Sequence, residues 1–277
     1  MIDKGKKLLH NINSINKQFL GDTDMKCSVK AILIIIVFTI LFISAVTVMF
    51  SKYTSPPYSL PDGFTVTAHS GSEGTEDNSM EFLEKCVGID VSVLEIDLSF
   101  RKDGTPVLIH KEVAEDDEGV LFKDAIKYIS ENSDTVRINI DLKSVNNLPA
   151  VTEILDNYGM RERCFYTGVG EGFVEAVIKD GGLPYYLNYD LNVLKKHKNS
   201  ELNSALEKVK AAGAIGINCN YKSSSSEMIK LFHESGLLVS CWTANSESVM
   251  RALLTIAPDN ITTRYPVKLT EILNKSK

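Results

Sequence analysis

The sequence predicts a TIM (β/α)8 barrel preceded by a single transmembrane helix, and three observations lead to this prediction. An uncharged run of 20 residues occupies 31–50. From residue 64 onwards, eight short apolar segments alternate with helical patterns, as they do in a parallel barrel. Polar side chains gather at the ends of several of these segments. A doubly wound open sheet is the alternative, but no glycine-rich phosphate loop follows the first segment.

The apolar run AILIIIVFTILFISAVTVMF (31–50) is long enough to cross a bilayer, because a helix of this length spans about 30 Å. A cleavable signal peptide is the competing interpretation. However, 30 residues precede the run, and its exit VTVMFSK offers no clear small-x-small cleavage site. We therefore expect 31–50 to be an uncleaved membrane anchor.

The charges that flank this run predict its orientation. Residues 1–30 contain six Lys and three Asp, whereas Lys52 is the only basic residue between the run and Lys85. Since basic residues favour the cytoplasmic side, we expect a cytoplasmic segment 1–30 and a single-pass cell-membrane protein whose C-terminal domain is extracytoplasmic. The rest of the chain holds 24 basic and 33 acidic residues, a net charge of −9. This balance argues against nucleic acid as a partner.

After the anchor, the short Pro-rich segment SKYTSPPYSLPDG (51–63) predicts a linker, and the barrel domain is expected over 64–277. The predicted strands are 64–69, 92–98, 136–142, 163–168, 183–189, 214–220, 237–242 and 259–263. Helices are predicted near 79–87, 122–131, 148–158, 171–180, 201–211, 226–235 and 246–255. Ser224 and Glu227 have the spacing of a capping box that opens the sixth helix.

In such a barrel the chemistry lies at the carboxyl ends of the strands. The candidate residues follow that rule: His69 ends the first strand, Glu95 and Asp97 the second, Asp141 and Lys143 the third, and Trp242 the seventh. The polar residues are therefore expected to meet on one rim of the barrel.

The stretch LEIDLSFRKDGTPVLIH (94–110) adds a second histidine to this rim. Its turn RKDGT is too short to cross over to a parallel strand, which needs a dozen residues or more. PVLIH must therefore run antiparallel to LEIDLSF. A turn centred on Asp103 places residue 97 beside residue 109, so His110 returns to the level of Asp97.

Two carboxylates on one rigid strand face suit a hard divalent cation such as Ca²⁺ or Mg²⁺. Flanking histidines suit proton transfer near neutral pH, and together these groups predict a metal-assisted hydrolase. The competing interpretation is a half-exposed strand with solvated acids and a structural histidine. The convergence of several such residues on one rim favours the site.

The motifs that carry these residues resemble, in order over about 64–266, those of the glycerophosphodiester phosphodiesterase family. The matching segments are AHSG (68–71), EDNS (76–79), LEIDLSFRKDGTPVLIH (94–110), INIDLK (138–143), CWTAN (241–245) and NITTRYP (260–266). The resemblance implies a TIM barrel that hydrolyses glycerophosphodiesters to glycerol 3-phosphate and an alcohol, usually with a divalent metal.

Carried over by position, the resemblance implies a role for each candidate residue. The implied metal ligands are Glu95 and Asp97, completed by Asp77 or its neighbour Glu76, and by Asp141, which stands where the family has Glu. His69 and His110 would be the acid–base pair, with their two roles left open. Lys143 would meet the phosphate, and Trp242 would face the substrate.

This chain also departs from the family pattern. Ser70 replaces the Arg beside the first histidine, Arg264 replaces a late Asp, and the region between His110 and Asp141 is short, which predicts a more open cleft. The first hypothesis is a membrane-anchored phosphodiesterase acting outside the cell on glycerophosphodiesters, lipid head groups or glycerol-phosphate polymers. A phospholipase acting on intact lipid and a degenerate barrel serving as a binding module are the alternatives.

Overall fold

In the computed structural model of the protein, residues 34–44, 46 and 58–275 are described. Residues 34–44 form a helix, α1, with residue 46 also helical. Within these described ranges, no helix combines the length and the apolar character needed to cross a bilayer. The rest of the predicted anchor 31–50, the predicted cytoplasmic segment 1–30 and residues 51–57 of the predicted linker lie outside the described residues. The described part of the linker packs on the barrel, because Tyr58 and Leu60 lie against its core.

Eight parallel strands close into a barrel. They are β1 (Thr65–Ala68), β2 (Val93–Phe100), β5 (Arg137–Leu142), β6 (Cys164–Val169), β7 (Tyr185–Asn188), β8 (Gly216–Asn220), β9 (Leu238–Trp242) and β10 (Asn260–Thr263). Consecutive members of this set pair in parallel, and β1 pairs with both β2 and β10, which completes the ring. The predicted TIM barrel is confirmed.

Helices follow the strands around the outside. They are α2 (Met80–Gly88), α3 (Phe122–Asn132), α4 (Leu148–Asn157), α5 (Val174–Ala176), α6 (Asn199–Ala211), α7 (Ser226–Glu234), α8 (Glu247–Ile256) and α9 (Pro266–Asn274). α5 is short and continues as a π turn over Val177–Gly181. The predicted capping box at Ser224 is wrong by one residue, since the Ser225 hydroxyl accepts the Met228 N–H.

A small hairpin stands on the end of β2. β3 (Pro106–Leu108) runs antiparallel to β2, and β4 (Val120–Leu121) runs antiparallel to β3. Leu98 lies opposite Leu108 and Phe100 opposite Pro106, which is the predicted register. The Asp97 carbonyl accordingly accepts the Ile109 N–H at 3.0 Å.

The barrel interior is apolar at one end and polar at the other. Val93, Phe165 and Tyr186 form a separate buried cluster near the amino ends of the strands. Above it, inward-facing Asn, Thr and Ser side chains bond across the strands, as Asn260 does with Thr67 and Ser240. The main hydrophobic core lies between the strands and the helices. The carboxyl end of the barrel is therefore free to hold polar chemistry.

Candidate active site

A cavity of about 190 Å³ opens at the carboxyl ends of the strands. Its lining residues are His69, Glu95, Asp97, His110, Asn139, Asp141, Lys143, Thr167, Asn188, Asn218, Trp242 and Thr262. Seven of the nine residues predicted for the site lie in this lining, all except Glu76 and Asp77. One small cavity thus collects both histidines, three carboxylates and a lysine.

Three of the acids form a cluster in which Glu95, Asp97 and Asp141 each offer an oxygen within 4.8 Å of the others. One oxygen of each acid is fixed by a neutral donor. The Ser70 N–H donates to Glu95 Oε2 at 2.8 Å, the Asn78 side-chain amide to Asp97 Oδ2 at 2.8 Å, and the Thr167 hydroxyl to Asp141 Oδ1 at 2.7 Å. The second oxygens of Asp97 and Asp141 pair with Lys143.

Lys143 supplies a positive charge to this cluster. Its Nζ lies 2.9 Å from Asp97 Oδ1 and also bonds Asp141 Oδ2. Burial alone would lower the pKa of Lys143, but the two carboxylates outweigh it and raise that pKa. Burial likewise opposes ionisation of Asp97, yet Lys143 and the Asn78 amide hold the pKa of Asp97 below its usual range. Both groups are consequently charged at neutral pH.

Glu95 behaves differently. It is buried, and burial together with the neighbouring charges of Asp97 and Asp141 raises its pKa well above the ordinary value. A raised pKa of this kind indicates a crowded cluster of acids in which negative charge is disfavoured. Such a cluster is suited to a divalent cation.

His69 lies beside Glu95, with its Nδ1 3.9 Å from Glu95 Oε2. The same Nδ1 lies 3.0 Å from the Ser70 carbonyl oxygen, which can only accept, so Nδ1 carries the hydrogen and Nε2 has a free lone pair when the ring is neutral. Burial is the main cause of a lowered pKa for His69. The neutral ring is therefore the stable form near neutral pH.

His110 lies on the other side of the acidic cluster. Its Nδ1 is 3.1 Å from Asp97 Oδ1, and 70% of its side chain is exposed. The hairpin that β3 forms with β2 brings it there, as the register predicted. The two histidines thus approach the acids from β1 and from the hairpin, one largely buried and one open to solvent.

Comparison with known proteins identifies the family. The profile described as the glycerophosphoryl diester phosphodiesterase family matches residues 111–268, more than half of the chain. The chain belongs to the glycerophosphoryl diester phosphodiesterase family. It is accordingly a phosphoric diester hydrolase.

Individual relatives of this family agree with the assignment. A glycerophosphodiester phosphodiesterase of Bacillus subtilis (strain 168) is 22% identical over 250 residues, covering 74% of this chain and 85% of its own. A phosphodiesterase of Oleispira antarctica, solved in complex with the product sn-glycerol-3-phosphate, superposes with a TM-score of 0.64 at 16% identity, over 78% of this chain and 97% of its own. A glycerophosphodiester phosphodiesterase of Parabacteroides distasonis superposes with a TM-score of 0.61 at 18% identity, over 77% of this chain and 98% of its own. These structures share the barrel fold.

The family profile begins directly after His110, so the segment that carries His69, Glu95 and Asp97 precedes it. In this segment the structure leaves two predicted metal ligands apart from the acidic cluster. Asp77 forms a two-pronged ion pair with Arg264, with Arg264 Nη1 2.7 Å from Asp77 Oδ1 and Nη2 3.0 Å from Oδ2. That guanidinium holds the pKa of Asp77 below its usual range. Glu76 is exposed, and its backbone carbonyl accepts the Ser79 hydroxyl.

Two positions at which this chain departs from the family pattern, Ser70 and Arg264, both form bonds in the loop 70–79. Ser70, at the position of the family's Arg, is fully buried, and its hydroxyl accepts the Asn78 N–H at 2.7 Å. Arg264, at the position of a late Asp, bonds Asp77 across the mouth of the loop. Ser70 therefore closes the loop 70–79 on itself, and Arg264 ties the loop to the residues that follow β10.

Sequence reasoning missed several residues of the site. Asn78 binds Asp97 twice, since its Oδ1 also accepts the Asp97 N–H at 2.9 Å. Thr167 bonds both Asp141 and Asn139. Asn188 and Asn218 line the cavity from β7 and β8 and bond each other at 3.1 Å. For Thr167, Asn188 and Asn218 the available signal was a polar residue near the end of a predicted strand, and for Asn78 it was the position within the EDNS segment.

Trp242 lines the cavity as predicted, on the end of β9. Its indole Nε1 is buried and has no hydrogen-bond partner among the described residues. A buried N–H without a partner costs free energy.

Proposed function

We propose that the barrel hydrolyses glycerophosphodiesters to glycerol 3-phosphate and an alcohol, using a divalent cation, Ca²⁺ or Mg²⁺, held by Glu95, Asp97 and Asp141. The observation that carries the proposal is the meeting of these acids with His69, His110 and Lys143 in one cavity. The cavity combines oxygen ligands, a fixed positive charge and two proton-transfer groups, which are the requirements of phosphodiester hydrolysis.

The residues fit such a cation. The donors are carboxylate oxygens, which Ca²⁺ and Mg²⁺ prefer, and each carboxylate is oriented by a neutral donor. Burial, together with the charges of Asp97 and Asp141, raises the pKa of Glu95 even though Lys143 lies in the same cluster, and a cation would favour the ionised carboxylate. When bound, the cation would supply charge neutralisation to the non-bridging phosphate oxygens.

His69 is proposed as the general base. Its Nδ1–H is committed to the Ser70 carbonyl, so Nε2 is available to take the proton from the attacking hydroxyl, which belongs either to water or to the glycerol. Attack by water gives glycerol 3-phosphate directly, whereas attack by the glycerol hydroxyl gives a cyclic phosphate that a water molecule must then open. The lowered pKa keeps the ring neutral and able to accept that proton.

His110 is proposed as the general acid. Asp97 pairs with its Nδ1 at 3.1 Å, and the Nε2–H of the protonated ring would protonate the leaving alkoxide as the P–O bond breaks. Lys143 would bind a non-bridging phosphate oxygen, and Trp242 would contact the substrate at the cavity wall. The product seen in the Oleispira antarctica structure supports glycerol 3-phosphate as the product here.

A direct assay tests this proposal. The purified full chain is incubated with glycerophosphocholine or glycerophosphoglycerol in the presence of Ca²⁺, Mg²⁺ or chelator, and glycerol 3-phosphate is measured. We expect metal-dependent release that falls by about 100-fold or more in His69→Ala and Glu95→Gln. His233→Ala is the matched control, because His233 pairs with Asp259 away from the cavity. Turnover of phospholipid vesicles alone would indicate a phospholipase, and ligand binding without turnover a binding module.

We further propose that 31–50 anchors the protein in the cell membrane, with residues 1–30 cytoplasmic and the barrel outside. The uncharged run and the six lysines before it support this topology. Cys27 provides a test, because the cysteines at 86, 164, 219 and 241 are buried. In intact cells a membrane-impermeant maleimide should leave Cys27 unlabelled and should label it after permeabilisation. Labelling of Cys27 in intact cells would contradict the topology.

A further inference from the structure

We propose that the loop 191–198, which follows β7, contacts the surface of an anionic lipid bilayer and turns the catalytic rim towards it. The loop starts three residues after Asn188, which lines the catalytic cavity. The loops that follow parallel strands lie on the rim where the cavity opens. The inference rests on the proposed function only for the nearness of a bilayer, because it requires no catalysis.

The tip of this loop is apolar and open to solvent. Leu194 is 91% exposed, more than any other large hydrophobic residue that the structure describes, and its neighbour Val193 is 49% exposed. Val193 also borders a groove of about 550 Å³ on the outside of the barrel. That groove has apolar walls from α8, formed by Val249, Leu253 and Ile256. The exposed tip is thus part of a wider apolar surface.

Positive charge surrounds the tip. Residues 191–200 contain Lys195, Lys196, Lys198 and His197 and no acid, in a domain whose net charge is −9. Glu201 lies 3.6 Å from Lys195, and Glu227 lies 3.0 Å from His197.

Two lysines near the tip are not neutralised by an acid among the described residues. Lys198 and Lys222, the latter across the groove, form no ion pair within the described part of the chain. Lysines around exposed aliphatic residues are the pattern of a surface that binds anionic lipid. The acidic remainder of the domain would be repelled by the same bilayer, so the charges fix which face approaches it.

The chain enters the barrel unit beside α8. Tyr58, the first described residue of the barrel unit, has its hydroxyl 3.3 Å from Arg251 Nη1, in the middle of α8. The groove beside the loop is walled by this helix. Only residues 51–57 separate Tyr58 from the predicted anchor, and seven residues reach at most about 25 Å. This short tether limits how far Tyr58 can lie from the end of the predicted anchor.

A fluorescent label at position 194 tests the contact in the full chain. Cys27→Ser combined with Leu194→Cys gives one reactive thiol, because the four cysteines of the barrel are buried. An environment-sensitive dye is attached, and the protein is mixed with, or reconstituted into, phosphatidylcholine vesicles with and without phosphatidylglycerol, containing brominated lipid. We expect a blue shift and at least about twofold stronger bromine quenching with the anionic vesicles. Ile178→Cys, 64% exposed beyond α5, is the matched control position and should show neither.

Charge variants test the electrostatic part. Lys198→Glu should reduce the blue shift at position 194, whereas Lys230→Glu, an exposed lysine on α7, should not. Raising NaCl from about 0.1 M to about 1 M shortens the Debye length from about 10 Å to about 3 Å and should weaken the contact.

The outcomes separate this inference from the other proposals. If the chain floats with the vesicles but the label at position 194 shows no blue shift, the docking surface is overturned. The proposed anchor is then still supported by the flotation. A chain that does not float but whose label still shifts with added anionic vesicles supports the surface and contradicts the anchor. If the chain does not float and the label at position 194 does not shift, the docking surface is overturned as well. Hydrolysis of soluble glycerophosphocholine is scored independently and tests the enzymatic proposal.

Discussion

At the scale of single residues, Asn78 decides how the acidic cluster is held. Its side chain donates to Asp97 Oδ2 and accepts the Asp97 N–H, while its own N–H donates to Ser70. It adopts a left-handed backbone conformation with φ 57°, which Asn tolerates better than most residues. Asn78 therefore fixes both the orientation of Asp97 and the shape of the loop that precedes α2.

We predict that Asn78→Ala weakens cation binding by about 10- to 100-fold, because Asp97 loses the donor that orients it. Isothermal titration with Ca²⁺ and Mg²⁺ measures the change. Asn147→Ala removes a comparable bond, from Asn147 Nδ2 to the Gly104 carbonyl away from the acids, and should leave the affinity unchanged. Equal affinities in Asn78→Ala and wild type would contradict the assigned role.

Glu95 makes stability depend on pH when no cation is present. Its pKa in the folded protein lies well above its ordinary value of 4.5, so the folded state holds the proton more tightly than the unfolded state. The stabilisation is complete below about pH 4.5 and is lost as pH rises through the raised pKa.

We therefore predict that, in chelator, the free energy of unfolding of the wild type falls relative to Glu95→Gln as pH rises above 4.5, by at most about 1.4 kcal/mol per pH unit. Denaturant unfolding across this range measures the difference. Saturating Ca²⁺ or Mg²⁺ should remove it, because a cation favours the ionised carboxylate. Parallel pH profiles for the two proteins in chelator would refute the assignment.

At the scale of elements, the loop 70–79 and the hairpin deliver the two histidines. Gly71 has a left-handed backbone conformation, with φ 73°. A Cβ atom at this position would lie 2.0 Å from Asp77 Oδ1 and 2.7 Å from Arg264 Nη1. Gly74 has a similar φ of 82° but nothing within 4 Å of a Cβ. The two glycines thus separate backbone strain from steric conflict in one loop.

We predict that Gly74→Ala costs about 1–2 kcal/mol through its left-handed backbone, and that Gly71→Ala costs roughly 2 kcal/mol more because it also displaces the Asp77–Arg264 ion pair. Thermal unfolding gives the two values. Gly71→Ala should also lower hydrolytic activity more than Gly74→Ala, since the loop carries the Ser70 N–H that binds Glu95. Similar losses in both variants would mean that Gly71 is retained only for its φ.

Local pattern was sufficient for some elements and insufficient for others. The short turn RKDGT determined the β2–β3 register and hence the position of His110, because hairpin geometry is local. The pairing of Asp77 with Arg264 joins residues 187 positions apart, so the strand and loop patterns could not separate Asp77 from the proposed metal ligands. The donors Asn78 and Thr167 were missed for the same reason. α9 (Pro266–Asn274) was missed because the residues after the predicted helix 246–255 were interpreted only as a strand and the closing motif 260–266.

At the scale of the whole molecule, the barrel is closed by the seam between its first and last strands. β1 and β10 pair from Thr65 with Asn260 to Ala68 with Thr263, and the His69 N–H donates to the Thr263 carbonyl at 2.9 Å. α9 follows β10 and packs against both strands. The seam thus links the C-terminal helix to the position of a proposed catalytic residue.

We predict that Leu269→Ala lowers the free energy of unfolding by about 2–5 kcal/mol, because Leu269 is fully buried in α9 and its loss leaves a cavity behind the seam. Val267→Ala on the same helix is the matched control. Val267 is 41% exposed, so its truncation should cost no more than about 0.5 kcal/mol. Denaturant unfolding measures both, and amide exchange at His69 reports the seam itself. We expect faster amide exchange at His69 in Leu269→Ala but not in Val267→Ala, because the His69 N–H bonds the Thr263 carbonyl between the first and last strands. Unchanged exchange at His69 despite lost stability would mean that α9 stabilises the barrel without holding the catalytic rim.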